Sequence, residues 1–204
     1  NLNFTIDLMS VFKGDKYKIL AVNLIEPNIN ARVNYAGKAN WDITKPSPTT
    51  TTGSSNSKFA LQINKYSIQK GNIFYDDKKG GTYAAVKGLD FEGSGDVTES
   101  LYDFKTKTAI AELTVASGAV DYLSKAKLNA VINIAVDNIN NKYTFKDNSI
   151  DLNDLGLQFS GSVAMPKEGT NLDVQFKSKK TEFKSILSLL PAIYAKDFDK
   201  IKTS

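Results

Sequence analysis

The chain has 204 residues, 41% hydrophobic and 24% charged, a composition of folded proteins and a length that fits one domain or one slice of a larger architecture. Its net charge of +4, from 26 basic and 22 acidic residues, is too mild to point to nucleic acid as a partner. With no Cys and no His, disulfides, thiol nucleophiles and zinc–thiolate sites are excluded, and the commonest general base and transition-metal ligand are missing.

Alternation of apolar and polar residues dominates from the N-terminus, as expected for strands with one buried face. Phe4, Ile6 and Leu8 alternate with Thr5 and Asp7, and Lys13-Gly14-Asp15-Lys16 reads as the turn to a second strand. Leu20, Val22 and Leu24 carry that strand, and Ile29, Ala31, Val33 and Tyr35 carry a third. Glu26-Pro27-Asn28 divides them, and proline, lacking a ladder donor, implies an edge or a bend. Residues 45–57 read KPSPTTTTGSSNS, too polar to offset the entropy of ordering, so a flexible linker is expected there.

Beyond it, Phe59, Leu61 and Ile63 begin the main strand region, 58–180. Asp76-Asp77-Lys78-Lys79-Gly80-Gly81, residues 138–141 and Lys167-Glu168-Gly169-Thr170 have hairpin chemistry. Gly88, Gly93 and Gly95 lie in continuing strand pattern and suggest bulges or bends, since no helix follows to form a phosphate loop. The clearest apolar stripes are Leu128, Ala130, Ile132, Ile134 and Val136; then Leu155, Leu157, Phe159, Gly161 and Val163; then Leu172, Val174 and Phe176. Lys177, Lys179 and Lys180 read as solvated lysines of a sheet edge. From 181 the period changes. Phe183, Ile186, Leu187, Leu190, Ile193 and Tyr194 recur at three and four, which predicts an amphipathic helix with Thr181 as N-cap and a break near Pro191. Ile186, Leu187 and Leu190 are its candidates for capping the sheet.

The predicted fold is therefore all-β and mainly antiparallel: a long curved or twisted sheet, or a half-pipe groove, with one C-terminal amphipathic helix. Residues 1–44 supply its first strands, 45–57 the linker, 58–180 the main sheet and 181–204 the helix and tail. All belong to one structural domain, expected to be part of a larger protein. No run of eighteen apolar residues occurs, so no transmembrane helix is expected within the sequence. A signal peptide is likewise not expected.

Catalytic chemistry finds little support. Ser10 and Lys13 have serine–lysine nucleophile spacing, but that pair needs a helix, and the pattern here predicts a strand end. Asp76 and Asp77 on a turn, and Asp147, Asp151 and Asp154, are the acidic groupings. They lack the setting of a glycosidase pair or a calcium loop. The expectation is no enzyme, no cofactor and no metal. The candidate binding surface is the oily face, with Leu128, Ile132, Ile134, Leu157, Phe159, Val163, Leu172, Val174 and Phe176 as its groove residues.

The segment KILAVNLIEPNINARVNYAGKANWDITK runs strand, proline, strand, then a glycine shortly before Asn40-Trp41-Asp42. The linker and FALQINKYSIQKGNIFYDD follow, and the tail reads FKSILSLLPAIYAKDFDKI. In these features the chain resembles the AsmA family of bacterial envelope proteins, in a Bacteroidetes-like form. The resemblance implies a non-enzymatic periplasmic protein, anchored in the inner membrane through a segment outside these residues. Its apolar β-groove would carry phospholipid or other acyl chains and support outer-membrane assembly. Two further readings stay open: a β-sandwich that binds protein or glycan as a structural or adhesin-like module, and a hydrolase built on a β scaffold.

Overall fold

In a computed structural model the described residues are 1–13, 17–43, 59–60, 64–97 and 99–179. The expected linker at 45–57 and the expected helix from 181, with Ile186, Leu187 and Leu190, lie outside them.

The elements run β1 (Leu2–Ile6), α1 (Leu8–Lys13), β2 (Tyr17–Ile25), β3 (Asn28–Val33), β4 (Phe59–Ala60), β5 (Lys65–Asp77), β6 (Thr82–Ser94), β7 (Leu101–Ser117), β8 (Val120–Asp137), β9 (Lys142–Leu152), β10 (Leu155–Ala164) and β11 (Asn171–Ser178). They form one open, mostly antiparallel sheet in the order β1-β2-β5-β6-β7-β8-β9-β10-β11, with β3 paired to β5 and the two-residue β4 paired to β2. Strands from 1–44 thus join the same sheet as those from 58–180. From β5 onward each strand pairs with the next in sequence, because hairpin turns join them. At about 4.8 Å per strand, the nine strands of the main path span about 38 Å.

Three of the pairings are parallel. β2 and β3 run in line along β5, with Ala21–Ile25 beside Lys65–Gln69 and Asn28–Val33 beside Asn72–Asp77. Glu26-Pro27 is the bend between them, as the proline predicts. Glu26 takes a positive φ and donates its N–H to the Gln69 carbonyl, while the Pro27 carbonyl accepts from Asn72.

Two features of the N-terminal region differ from the sequence reading. The alternation through Leu8 does not persist as strand: β1 ends at Ile6 and α1 begins at Leu8. Asp7 starts this short helix, its carboxylate accepting the Met9 N–H at 2.9 Å, as an N-capping side chain does. Ser10 and Lys13 are therefore on a helix and not at a strand end. The Ser10 hydroxyl is buried and donates to the Asp7 carbonyl at 2.6 Å.

A band of irregularities crosses the sheet. Lys70, Lys125 and Asp147 each take φ near +50°, with Gly88 at +62°. Register shifts accompany them in the β5–β6, β7–β8 and β8–β9 pairs. Such bulges bend strands and raise twist, so repetition across neighbours curves the whole sheet. Their freed amides are satisfied by side chains on the neighbouring strand. Lys70 N–H donates to Asp90, Gly88 N–H to Asn72, Lys125 N–H to Thr114 and Asn133 N–H to Asn148. The residue after each positive-φ position in β5, β8 and β9 is buried: Gly71, Ala126 and Asn148.

Candidate functional site

Register assigns each residue to a face, because directly paired residues lie on the same side. Leu128, Ile132 and Ile134 of β8 share a side with Ile110, Thr106 and Phe104 of β7. Across β9, the same side holds Ile150 and Phe145, which pair with Leu157 and Gly161 of β10. Phe159 and Val163 then pair with Phe176 and Leu172 of β11, and Gly161 with Val174. All nine groove residues expected from the sequence are thus on one face.

That face extends further than the expectation. On β6 it includes Leu89 and Phe91, and on β5 Tyr66, Ile68 and Ile73. Through β2 it reaches Val22 and Leu24, and through β1 Phe4 and Leu2. The sequence reading missed the stretch over β6 and β7 because bulges reverse the phase there. On β7 the apolar positions run from Ile110 to Leu113, a step of three, while β6 answers with Leu89 to Val86. A strict period of two breaks at both.

Ring contacts bind the face together. Phe145, Phe159 and Phe176 form a row across three strands, with centroids 5.8 Å and 6.0 Å apart. Tyr66 meets Phe104 edge-on at 6.4 Å, and Trp41 lies 6.3 Å from Tyr75. Burial raises the Tyr66 phenol above its ordinary value, with Asp96 adding to the effect. Asn148 is the polar exception on this side. It pairs in register with Phe159, is 1% exposed, and its Nδ2 has no hydrogen-bond partner.

Among the described residues little covers this surface: substantial contacts run between neighbouring strands and between α1 and β2. Among the described residues the buried apolar side chains are Ala85, Leu89, Ala126 and Val136 alone. Toward the two edges the apolar residues stand open: Leu2 and Phe4 are each 53% exposed, Leu172 and Phe176 each 70%. A two-layer β-sandwich would bury both inner faces about 10 Å apart, and no second sheet is found among the described residues.

The opposite side is mainly polar, with Phe74, Ala85 and Val131 among its apolar residues. It carries Lys65, Ser67, Glu92, Ser94, Lys105 and Lys107, which line a recess of about 540 Å³ together with Ala21 and Asn23. A smaller recess of about 320 Å³ lies by Gln158, Ser160, Gln175 and Lys177, with Asn148, Phe159 and Phe176 also on its rim. Charges on this side are partly paired, as in Lys87–Glu112 at 3.5 Å. Lys179 binds Asp151 at 2.9 Å, so it reaches back over Gly156 toward β9. Lys177 remains exposed on the edge strand, in line with the reading of an edge lysine.

The remaining sequence candidates are scattered. Asp77 closes the β5–β6 turn by accepting from the Lys79 and Gly80 amides, and Asp76 pairs with Lys78 at 3.0 Å. Asp147 sits at a bulge, Asp151 on β9 and Asp154 in the turn to β10. No group of three or more Asp or Glu able to hold a metal occurs among the described residues. No helix among them is long and apolar enough to cross a membrane. Asn40-Trp41 has a structural use. The Asn40 side chain accepts from Arg32 N–H and donates to the Asn30 carbonyl, so it stands in for a neighbouring strand along β3.

Comparisons with protein-family models, with curated proteins and with solved structures find no match for this chain.

Proposed function

We propose that this chain is a non-enzymatic lipid-binding module whose apolar sheet face takes up acyl chains. The reading is carried by a continuous oily face from β1 to β11 that no second layer covers among the described residues. A sheet with one apolar side must cover it with another layer, with itself, or with a ligand. An acyl chain fits the need chemically: burial stabilises by about 0.8 kcal/mol per methylene, and the site requires no directional polar contacts. The bulges support the reading too, because they curve the sheet and so allow it to wrap a chain-like ligand.

The resemblance to AsmA proteins supports the same conclusion and extends it. On that basis the module works in the periplasm as part of a longer protein, anchored in the inner membrane elsewhere in the chain. It holds or passes phospholipid acyl chains in outer-membrane biogenesis.

Two adjacent residues provide the test. Ile132 lies on the apolar face of β8, and its neighbour Val131, 39% exposed, lies on the other. In titrations with a fluorescent fatty acid, Ile132→Asn weakens binding by about tenfold, the loss expected from about 1.4 kcal/mol of apolar contact. Val131→Asn leaves binding unchanged. Equal effects of the two substitutions, or no binding by the unsubstituted chain, refute the proposal. Thermal melts on both variants separate lost binding from lost fold.

A further inference from the structure

We propose that the outer edge of β11, which no described strand pairs over Asn171–Lys177, pairs with the same edge of a second copy of this chain, antiparallel and centred on Val174. The inference is independent of the lipid reading and rests on the edge itself. β11 ends the sheet order, and its register with β10 is unbroken from Leu157↔Ser178 to Ala164↔Asn171. It has no bulge and no proline; Lys177 is the deterrent a lysine on an edge strand supplies, and centring the pair on Val174 sets it opposite Asn171 of the partner subunit and not against another lysine.

Backbone direction decides what the edge offers. The Lys179 N–H donates to the Gly156 carbonyl at 2.8 Å. In an antiparallel ladder, alternate residues turn both backbone groups toward one neighbour. Lys177, Gln175 and Asp173 therefore face β10. Leu172, Val174 and Phe176 turn their N–H and C=O outward, with their side chains on the apolar face. β3 offers a contrast, since Asn40 occupies the backbone groups of Asn30 and Arg32 on its outer side.

The sequence of β11 is self-complementary about Val174. Antiparallel pairing on that centre brings Val174 against Val174 of the partner subunit and Leu172 against Phe176 of the partner subunit. On the polar side Asp173 meets Gln175 of the partner subunit, and Lys177 meets Asn171 of the partner subunit. No like charges are opposed, and Asp173 lies diagonal to Lys177 of the partner subunit, an attractive relation. A two-fold axis perpendicular to the sheet closes the assembly at two copies. It also keeps both apolar faces on one side, so Leu172 and Phe176, each 70% exposed, become interior to one longer face.

Sedimentation equilibrium of the 204-residue chain tests this through Gln175, whose side chain is exposed on the polar side. Gln175→Asp puts a carboxylate opposite Asp173 of the partner subunit on both sides of the axis. It weakens the dimer by about two- to thirtyfold at low salt, the range for two such pairs. Gln175→Lys strengthens it, and added salt narrows the difference between the two variants. Val174→Pro abolishes dimerisation with far-UV circular dichroism unchanged, because the Val174 N–H does not pair with β10. An unsubstituted chain that stays monomeric at hundreds of micromolar overturns the proposal. That result would mean residues 180–204 or another strand occupy the edge. A dimer insensitive to the sign of charge at position 175 also overturns it, and would put the contact elsewhere.

Discussion

Asp77 and Asp137 occupy matching places at two hairpins. Each accepts backbone N–H groups two and three residues on, and each turn ends in a left-handed residue, Gly81 or Asn141. The Asp137 carboxyl is held below the usual 3.8, first by the Asn140 side-chain amide and then by the Asn140 and Ile139 backbone. A depressed carboxyl stabilises the fold fully above its ordinary value and loses that contribution as pH falls through the lowered one. An NMR titration of the Ile139 and Asn140 amides should therefore show a midpoint below 3.8, with the turn loosening as Asp137 protonates. A midpoint at or above 3.8 contradicts the geometry. Both turns were legible in the sequence as loops rich in Asp, Asn and Gly. Asn40 was not. Its role as a substitute strand depends on a side chain reaching across to β3, which no spacing pattern encodes.

At the scale of elements, the strands were readable where period two was strong, as along Leu128–Val136 of β8, β10 and β11. Gly88, left-handed, reverses the phase of β6, and register shifts between Ile110 and Ala116 do so in β7, which hid the apolar face there. The α1 helix was missed because β1 is only five residues long, and Leu8 continued its phase by coincidence. Gly161 shows how closely neighbouring strands are fitted. A Cβ there would lie 2.0 Å from the Asp173 carbonyl oxygen and 2.8 Å from Val174 Cα, at φ +133°. Gly161→Ala should destabilise by about 2–4 kcal/mol in denaturant melts, and amide exchange should rise along β11. Gly118→Ala is the comparison. That turn position has φ +59° but nothing within 4 Å, so only the backbone term of about 1 kcal/mol applies. Equal costs at the two sites would mean that β11 is not pressed against β10.

At the scale of the molecule, the described sheet is held by its ladders and its half-buried apolar side, with few fully enclosed apolar residues among those described. The fold class and the shared face of the nine groove residues were legible because alternation constrains faces directly. Whether the face is occupied was not legible, since occupancy depends on what meets it. The recesses near Lys65, Lys105 and Lys107 lie on the polar side, so they define a second place where a ligand could bind. A nitroxide-labelled fatty acid added to methyl-labelled protein discriminates between the two sides most directly. An acyl chain on the apolar face gives strong relaxation enhancement at the methyls of Ile132, Ile134 and Ile150, with Val131 little affected. Enhancement centred on Val131 and the polar side, or none at any methyl, would contradict it.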